Sequence, residues 1–100
     1  MQEKKARDLV LLETGKISIV ADYFLIGTGN SRIQIRAICD HLRQQLKESG
    51  FLPLRIEGYG EGYWVLMDYG GLVIHLLQQE ARDFYDLERL WDRAPVVEKL

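Results

Sequence analysis

The chain has one cysteine, Cys39, so it forms no internal disulfide and carries no spaced-thiolate zinc site. Proline appears twice, at Pro53 and Pro95, too sparsely for a linker or a polyproline tract. No apolar run approaches the roughly 18 to 20 residues needed to cross a bilayer. The start, "MQEKKARD", lacks an apolar signal core, and a cytoplasmic location is the expectation. Basic excess is missing too: the net charge is −2, which does not suit a protein that grips a phosphate backbone. The charge is unevenly placed. Residues 1–50 hold eight Lys/Arg against six Asp/Glu, whereas residues 51–100 hold five against nine. An acidic second half is a complement for a basic protein.

What remains is ordinary for a globular chain, and residues 1–100 read as one domain. "DLVLLE" (8–13) and "YFLIGT" (23–28) read as strands, the second apolar throughout as in a strand buried on both faces. The intervening "ISIVAD" (17–22) reads as a connecting turn. Ile35, Ile38, Cys39, Leu42 and Leu46 recur on one side of a helix over 31–49, which Gly50 stops. "LPLRIEG" (52–58) reads as a shorter strand, with Pro53 at its beginning or at an edge. "YWVLMD" (63–68), "YGG" and "LVIHLL" (72–77) form a hairpin. Within it, alternation puts Trp64 and Leu66 on one face and Tyr63, Val65 and Met67 on the other. A second helix spans 78–92, packing Phe84, Leu87 and Trp91, with Arg82 and Arg89 as candidate interface anchors. One long helical crossover among these strands predicts an α/β (α+β) fold with a mixed sheet.

The turn "GTGNSR" invites a phosphate-site reading, since amides at a helix N-terminus bind anions. It lacks the third glycine of a dinucleotide fingerprint and the lysine of a Walker loop. Ser31 and Gln34 instead match an S-x-x-Q capping box. Asp22 stands without a second carboxylate to share a metal. Cys39 falls on the apolar helix face, His41 has no acid or histidine at i+4, and His75 alternates with Val73 and Leu77 as a hydrogen-bonded core histidine would. No catalytic residue, metal ligand or cofactor is assigned, and the chain is not expected to be an enzyme. The segment 57–71 is richer, setting Tyr59, Tyr63, Trp64 and Tyr69 among Glu57, Glu61 and Asp68. Aromatics beside acids supply anchor area and select a basic partner.

"ADYFLIGTGNSRIQIRAICDHL", "GYWVLMDYGGLVIHLL" and "EARDFYDLERLWDRAP" together resemble the ribosomal silencing factor family (RsfS, also called Iojap), from about Asp8 to Pro95. The resemblance implies a sheet of about five strands flanked by helices, like a nucleotidyltransferase core without its metal carboxylates. It implies an antiassociation factor that binds universal large ribosomal subunit protein fourteen on the large subunit, blocks joining of the small subunit and so represses translation. Little direct RNA contact is expected from the acidic balance and no membrane contact from the lack of a long apolar run, and homodimerisation is left open. The positions matching the family's contact region are Trp64, Asp68, Tyr69 and Gly70, with Glu57 and His75 beside them. The competing readings are a nucleotide-binding enzyme using the turn Gly27 to Arg32, and direct RNA binding by the basic residues of the first half.

Overall fold

The glycine-rich turn ends a strand and caps a helix. A computed structural model of the chain describes residues 7–13, 22–84 and 96–99. In it β1 (Arg7–Glu13) is followed by β2 (Tyr23–Gly29), which runs through Asn30 and Ser31 into α1 (Arg32–Glu48). Ser31 stays extended, and its Oγ accepts from the Gln34 backbone N–H at 3.1 Å. The Gln34 side-chain oxygen accepts in return from the Asn30 N–H, one residue before the cap. Two orphan donors of the helix start are thereby satisfied locally. Ser31→Ala is expected to cost about 1 kcal/mol in urea unfolding, without changing the fold.

The other end of α1 explains the loop that follows. Gly50 takes φ +91°, its N–H donates to Lys47 O at 3.0 Å, and the Phe51 N–H donates to Leu46 O at 2.8 Å. These two bonds are those of a Schellman turn, which folds the residue after the glycine back onto the last helical turn. Phe51 accordingly comes to lie beside Leu46.

After this loop come β3 (Arg55–Glu57), β4 (Trp64–Asp68), β5 (Leu72–Gln78) and α2 (Gln79–Phe84), then β6 (Val96–Lys99). The six strands form one sheet in the order β3-β4-β5-β2-β1-β6. Only β2 and β5 are parallel, so the sheet is mixed as expected, with β6 adding a strand beside β1. β3 is shorter than the stretch 52–58: the strand opens two residues after Pro53, which has no N–H to give, and it lies at an edge. The second helix starts at Gln79; its expected continuation to 92, with Leu87, Arg89 and Trp91, lies outside the described residues, as do all but the last residue, Asp22, of the turn expected at 17–22.

The registers sort side chains onto two faces. Toward α1 point Val65 and Met67 of β4 and Ile74 and Leu76 of β5, packed with Leu9 against Ile35, Ile38, Cys39 and Leu42. On the outer face, Val10, Leu12, Ile26 and Leu77 pack with Ala81 of α2. Tyr63 corrects the alternation. It precedes β4, and it packs on the outer cluster together with Trp64, not on the α1 side with Val65. Arg82 is corrected also: it is buried and donates to Thr28 Oγ1 at 2.7 Å, so it braces α2 against β2 and anchors nothing outside.

Candidate sheet-edge interface

The β3–β4–β5 edge gathers most of the expected contact residues on one side. In register, Glu57 lies opposite Leu66, Leu66 opposite His75, Arg55 opposite Asp68, and Trp64 opposite Leu77. Glu57, Trp64, Asp68 and His75 therefore share the outer face. Trp64 is half-buried, its inner side on the Ile26–Leu77 cluster, and with Glu57, Gly58 and Leu66 it lines an open cleft of about 310 Å³.

Asp68 is engaged within the chain. One carboxylate oxygen accepts from the Gly70 N–H at 2.8 Å, and the other lies 3.3 Å from Arg55 Nε. The first bond makes an Asx-type turn, completed by Gly70 at φ +87° and by the Tyr69 N–H donating to Leu72 O. Asp68 and Gly70 thus shape the hairpin tip. Arg55 also pairs with Glu57 at 3.0 Å, with both side chains more than half exposed, a pair that can be exchanged at little cost.

The turn carries Tyr69 to the opposite side. Tyr69 is half-buried against the α1 cluster, and with Leu46, Phe51, Gly71 and Leu72 it lines a second open cleft of about 280 Å³. Burial raises its phenol pKa above the ordinary value. Beside this cleft stand Phe51 (58% exposed), Leu52 (68%) and Leu54 (73%), an apolar lip next to the hairpin tip. Large exposed apolar side chains gathered in four residues mark a contact surface. The sequence signal was the run "FLPL" after Gly50, where a proline inside apolar residues argues against a paired strand.

His75 is 7% exposed and lies under the outer face, as its alternation suggested and unlike a residue that meets a partner directly. Its Nδ1 accepts from the Trp64 indole N–H at 3.0 Å, and the Phe24 ring meets it edge-on at 4.7 Å. Its Nε2 is buried with no hydrogen-bond partner among the described residues. Burial lowers its pKa from 6.5 to about 4, so it is neutral at physiological pH. Tyr59 also leaves the edge: its hydroxyl donates to the Asp40 carboxylate at 2.9 Å, and Arg36 stacks 4.8 Å over its ring.

Among the described residues, Cys39 and His75 do not form a nucleophile–base pair. Burial, then Asp40, pushes the Cys39 thiol up to about 11, so it is not a thiolate at neutral pH. Cys39 faces the sheet from the α1 side, whereas His75 lies on the outer face, with the sheet between them. Among the described residues no cluster of three or more His, Cys, Asp or Glu could hold a metal ion, and no helix is long and apolar enough to cross a membrane. In the turn Gly27 to Arg32 the Asn30 N–H is taken by the Gln34 side chain, Ser31 Oγ takes the Gln34 N–H, and the loop before β4 closes over the turn. A Cβ on Gly62 would lie 3.0 Å from Arg32 O. Asp22 precedes β2 at the end away from this turn, roughly 20 Å along a seven-residue strand. It cannot hold a metal for a nucleotide there.

The chain is similar in sequence and fold to known proteins. The family described as "ribosomal silencing factor during starvation" matches residues 1–100. The ribosomal silencing factor RsfS of Bacillus subtilis is 42% identical over 96% of this chain and 81% of its own length. The crystal structure of a Chromobacterium violaceum protein, 34% identical, superposes with a TM-score of 0.86 over 91% of this chain and 76% of that one. A more distant relative is the mouse protein named mitochondrial assembly of ribosomal large subunit protein 1. It is 33% identical over 91% of this chain and 41% of its own.

Proposed function

Because this chain belongs to the ribosomal silencing factor family, we propose that it docks on the large ribosomal subunit through its β3–β4–β5 edge and thereby keeps the small subunit from joining. The observation that carries this reading is the half-buried Trp64, set beside Glu57 and Leu66 at an open cleft on the outer face. A rigid aromatic with one side in the core is what a binding hot spot requires. The acidic second half selects a basic protein, and universal large ribosomal subunit protein fourteen is the partner that the family suggests. Contact of this kind makes and breaks no bond, so repression is steric and the chain is not an enzyme. It acts where bacterial ribosomes are, in the cytoplasm.

The roles within the edge differ. Trp64 and Glu57 face the partner, Asp68 and Gly70 hold the hairpin tip, and Tyr69 offers its ring at the adjoining cleft. The test is direct. Large subunits are incubated with the protein, small subunits are added, and joining is followed by light scattering, with co-sedimentation as the binding measure. The wild-type chain is expected to suppress joining, and Trp64→Ala to bind about 30-fold more weakly while still folded. Unimpaired binding by folded Trp64→Ala would remove this surface from the reading. Raising the salt should slow association more than it speeds dissociation, as expected of a charge-steered encounter.

A further inference from the structure

Trp64 is hydrogen-bonded to a residue buried beneath the outer face. Beside the indole lies the open cleft of about 310 Å³. The other side rests on the Ile26–Leu77 cluster, and the ring N–H donates to His75 Nδ1 at 3.0 Å. His75 is itself buried and packed on several sides. It sits on β5 between its register partners Ile26 of β2 and Leu66 of β4, 7% exposed, with the Phe24 ring against it at 60°.

The bond also selects a tautomer. An Nδ1 that accepts leaves the neutral ring's proton on Nε2, which is buried and finds no acceptor among the described residues. Such a donor is a cost to the fold. A leucine would fill similar space without that cost but would offer the indole nothing.

We propose that His75 is a positioning residue for docking: from inside the sheet it holds the Trp64 indole in the orientation that meets the ribosomal partner. This rests on the reading that Trp64 is a docking side chain. Fixing one rotamer-rich side chain before contact spares the entropy of ordering it on binding. Loss of the brace is therefore expected to weaken binding about three- to tenfold, with the contact atoms unchanged.

The experiment pairs affinity for large subunits with the Trp64 indole N–H resonance, observed in a Trp91→Phe background. His75→Leu should shift that resonance, speed its exchange with solvent and weaken binding three- to tenfold. His75→Asn presents an amide oxygen close to where Nδ1 stands and should restore the resonance and most of the affinity. Trp64→Phe, which keeps a ring and loses the donor, should show the same loss, and adding His75→Leu to it should cost nothing more. An unmoved indole signal in His75→Leu, an asparagine no better than leucine, or additive losses in the double variant would each overturn the proposal. Should His75→Leu not fold, Trp64→Phe decides alone, and full affinity there refutes the brace. Two failures are distinguishable. Unimpaired binding by Trp64→Ala removes the docking surface itself, whereas a loss in Trp64→Ala with none in Trp64→Phe removes only the role of His75.

Discussion

Gly58→Ala should lower stability by about 3 kcal/mol, one of the larger losses available from adding a single methyl group to this chain. Gly58 has φ +79°, in the left-handed region where an L side chain is strained. A Cβ there would stand 2.2 Å from the Trp64 carbonyl oxygen and 3.2 Å from its carbon. Both are backbone atoms, so no rotamer change relieves the overlap. The chain can respond only by moving the start of β4 away from the loop. That start is tied to β5, because the Gln78 N–H donates to Tyr63 O at 3.0 Å and the Gln78 side-chain amide donates to Gly62 O at 2.9 Å. The strain therefore spreads into the hairpin instead of dissipating in the loop. Thermal unfolding followed by circular dichroism should show a midpoint lowered by about 12 to 24 °C. Gly60→Ala is the internal control: nothing lies within 4 Å of its added Cβ, and the change should stay within about 0.5 kcal/mol of neutral. Equal midpoints for the two variants would show that Gly58 is not held against Trp64 as described. Because the displaced residue is Trp64, Gly58→Ala should also weaken docking by more than its loss of folded protein explains.

Much of this architecture was legible from spacing. The order of strands and helices as far as α2, the capped start of α1 at Ser31 and the hairpin around Gly70 follow from patterns that act over a few residues, whereas β6 was not foreseen. Their physics is local: a side-chain oxygen reaching an amide three residues on, or a glycine free to adopt positive φ. Alternation also separated Trp64 and Leu66 from Val65 and Met67, because the pleat imposes it within a strand. It failed one residue outside β4, at Tyr63, where the pleat has not begun. It could say nothing of Tyr69, whose side is set by the Asp68–Gly70 bond across the turn. The contact residues expected as one patch thus divide into an outer-face group and a tyrosine around the edge. The apolar lip at Phe51, Leu52 and Leu54 was hidden for a similar reason. Its residues resemble a strand in composition, but the Schellman turn at Gly50 and the missing N–H of Pro53 delay pairing until Arg55. His75 was legible as a core residue, but its bond to Trp64 was not, since that needs the β4–β5 register as well as the identities.

Lowering the pH from about 7 to about 4 should remove up to roughly 3 kcal/mol of stability through His75 alone. The sign follows from proton counts. Burial depresses the His75 pKa from 6.5 to about 4, so between these values the unfolded chain binds a proton that the folded chain refuses. Stability then rises with pH across this window, is complete above about 6.5, and its His75 part is fully lost below about 4. Protonation has a local meaning as well. A proton on Nδ1 turns the acceptor facing the Trp64 indole into a second donor, so the N–H to Nδ1 bond cannot survive it. The acid limb should therefore register in Trp64 fluorescence, measured in a Trp91→Phe background, no later than in global unfolding. The variant comparison isolates the residue: His75→Leu loses the bond to Trp64 at every pH, a constant offset, but has no imidazole to titrate. Urea unfolding of both chains at several pH values from 7 to 4.5 should show a steeper fall for wild type, with the gap between them narrowing or reversing as acid is added. Parallel curves would mean that the imidazole is not kept neutral by the sheet. The brace on Trp64 would then have to be sought in packing alone.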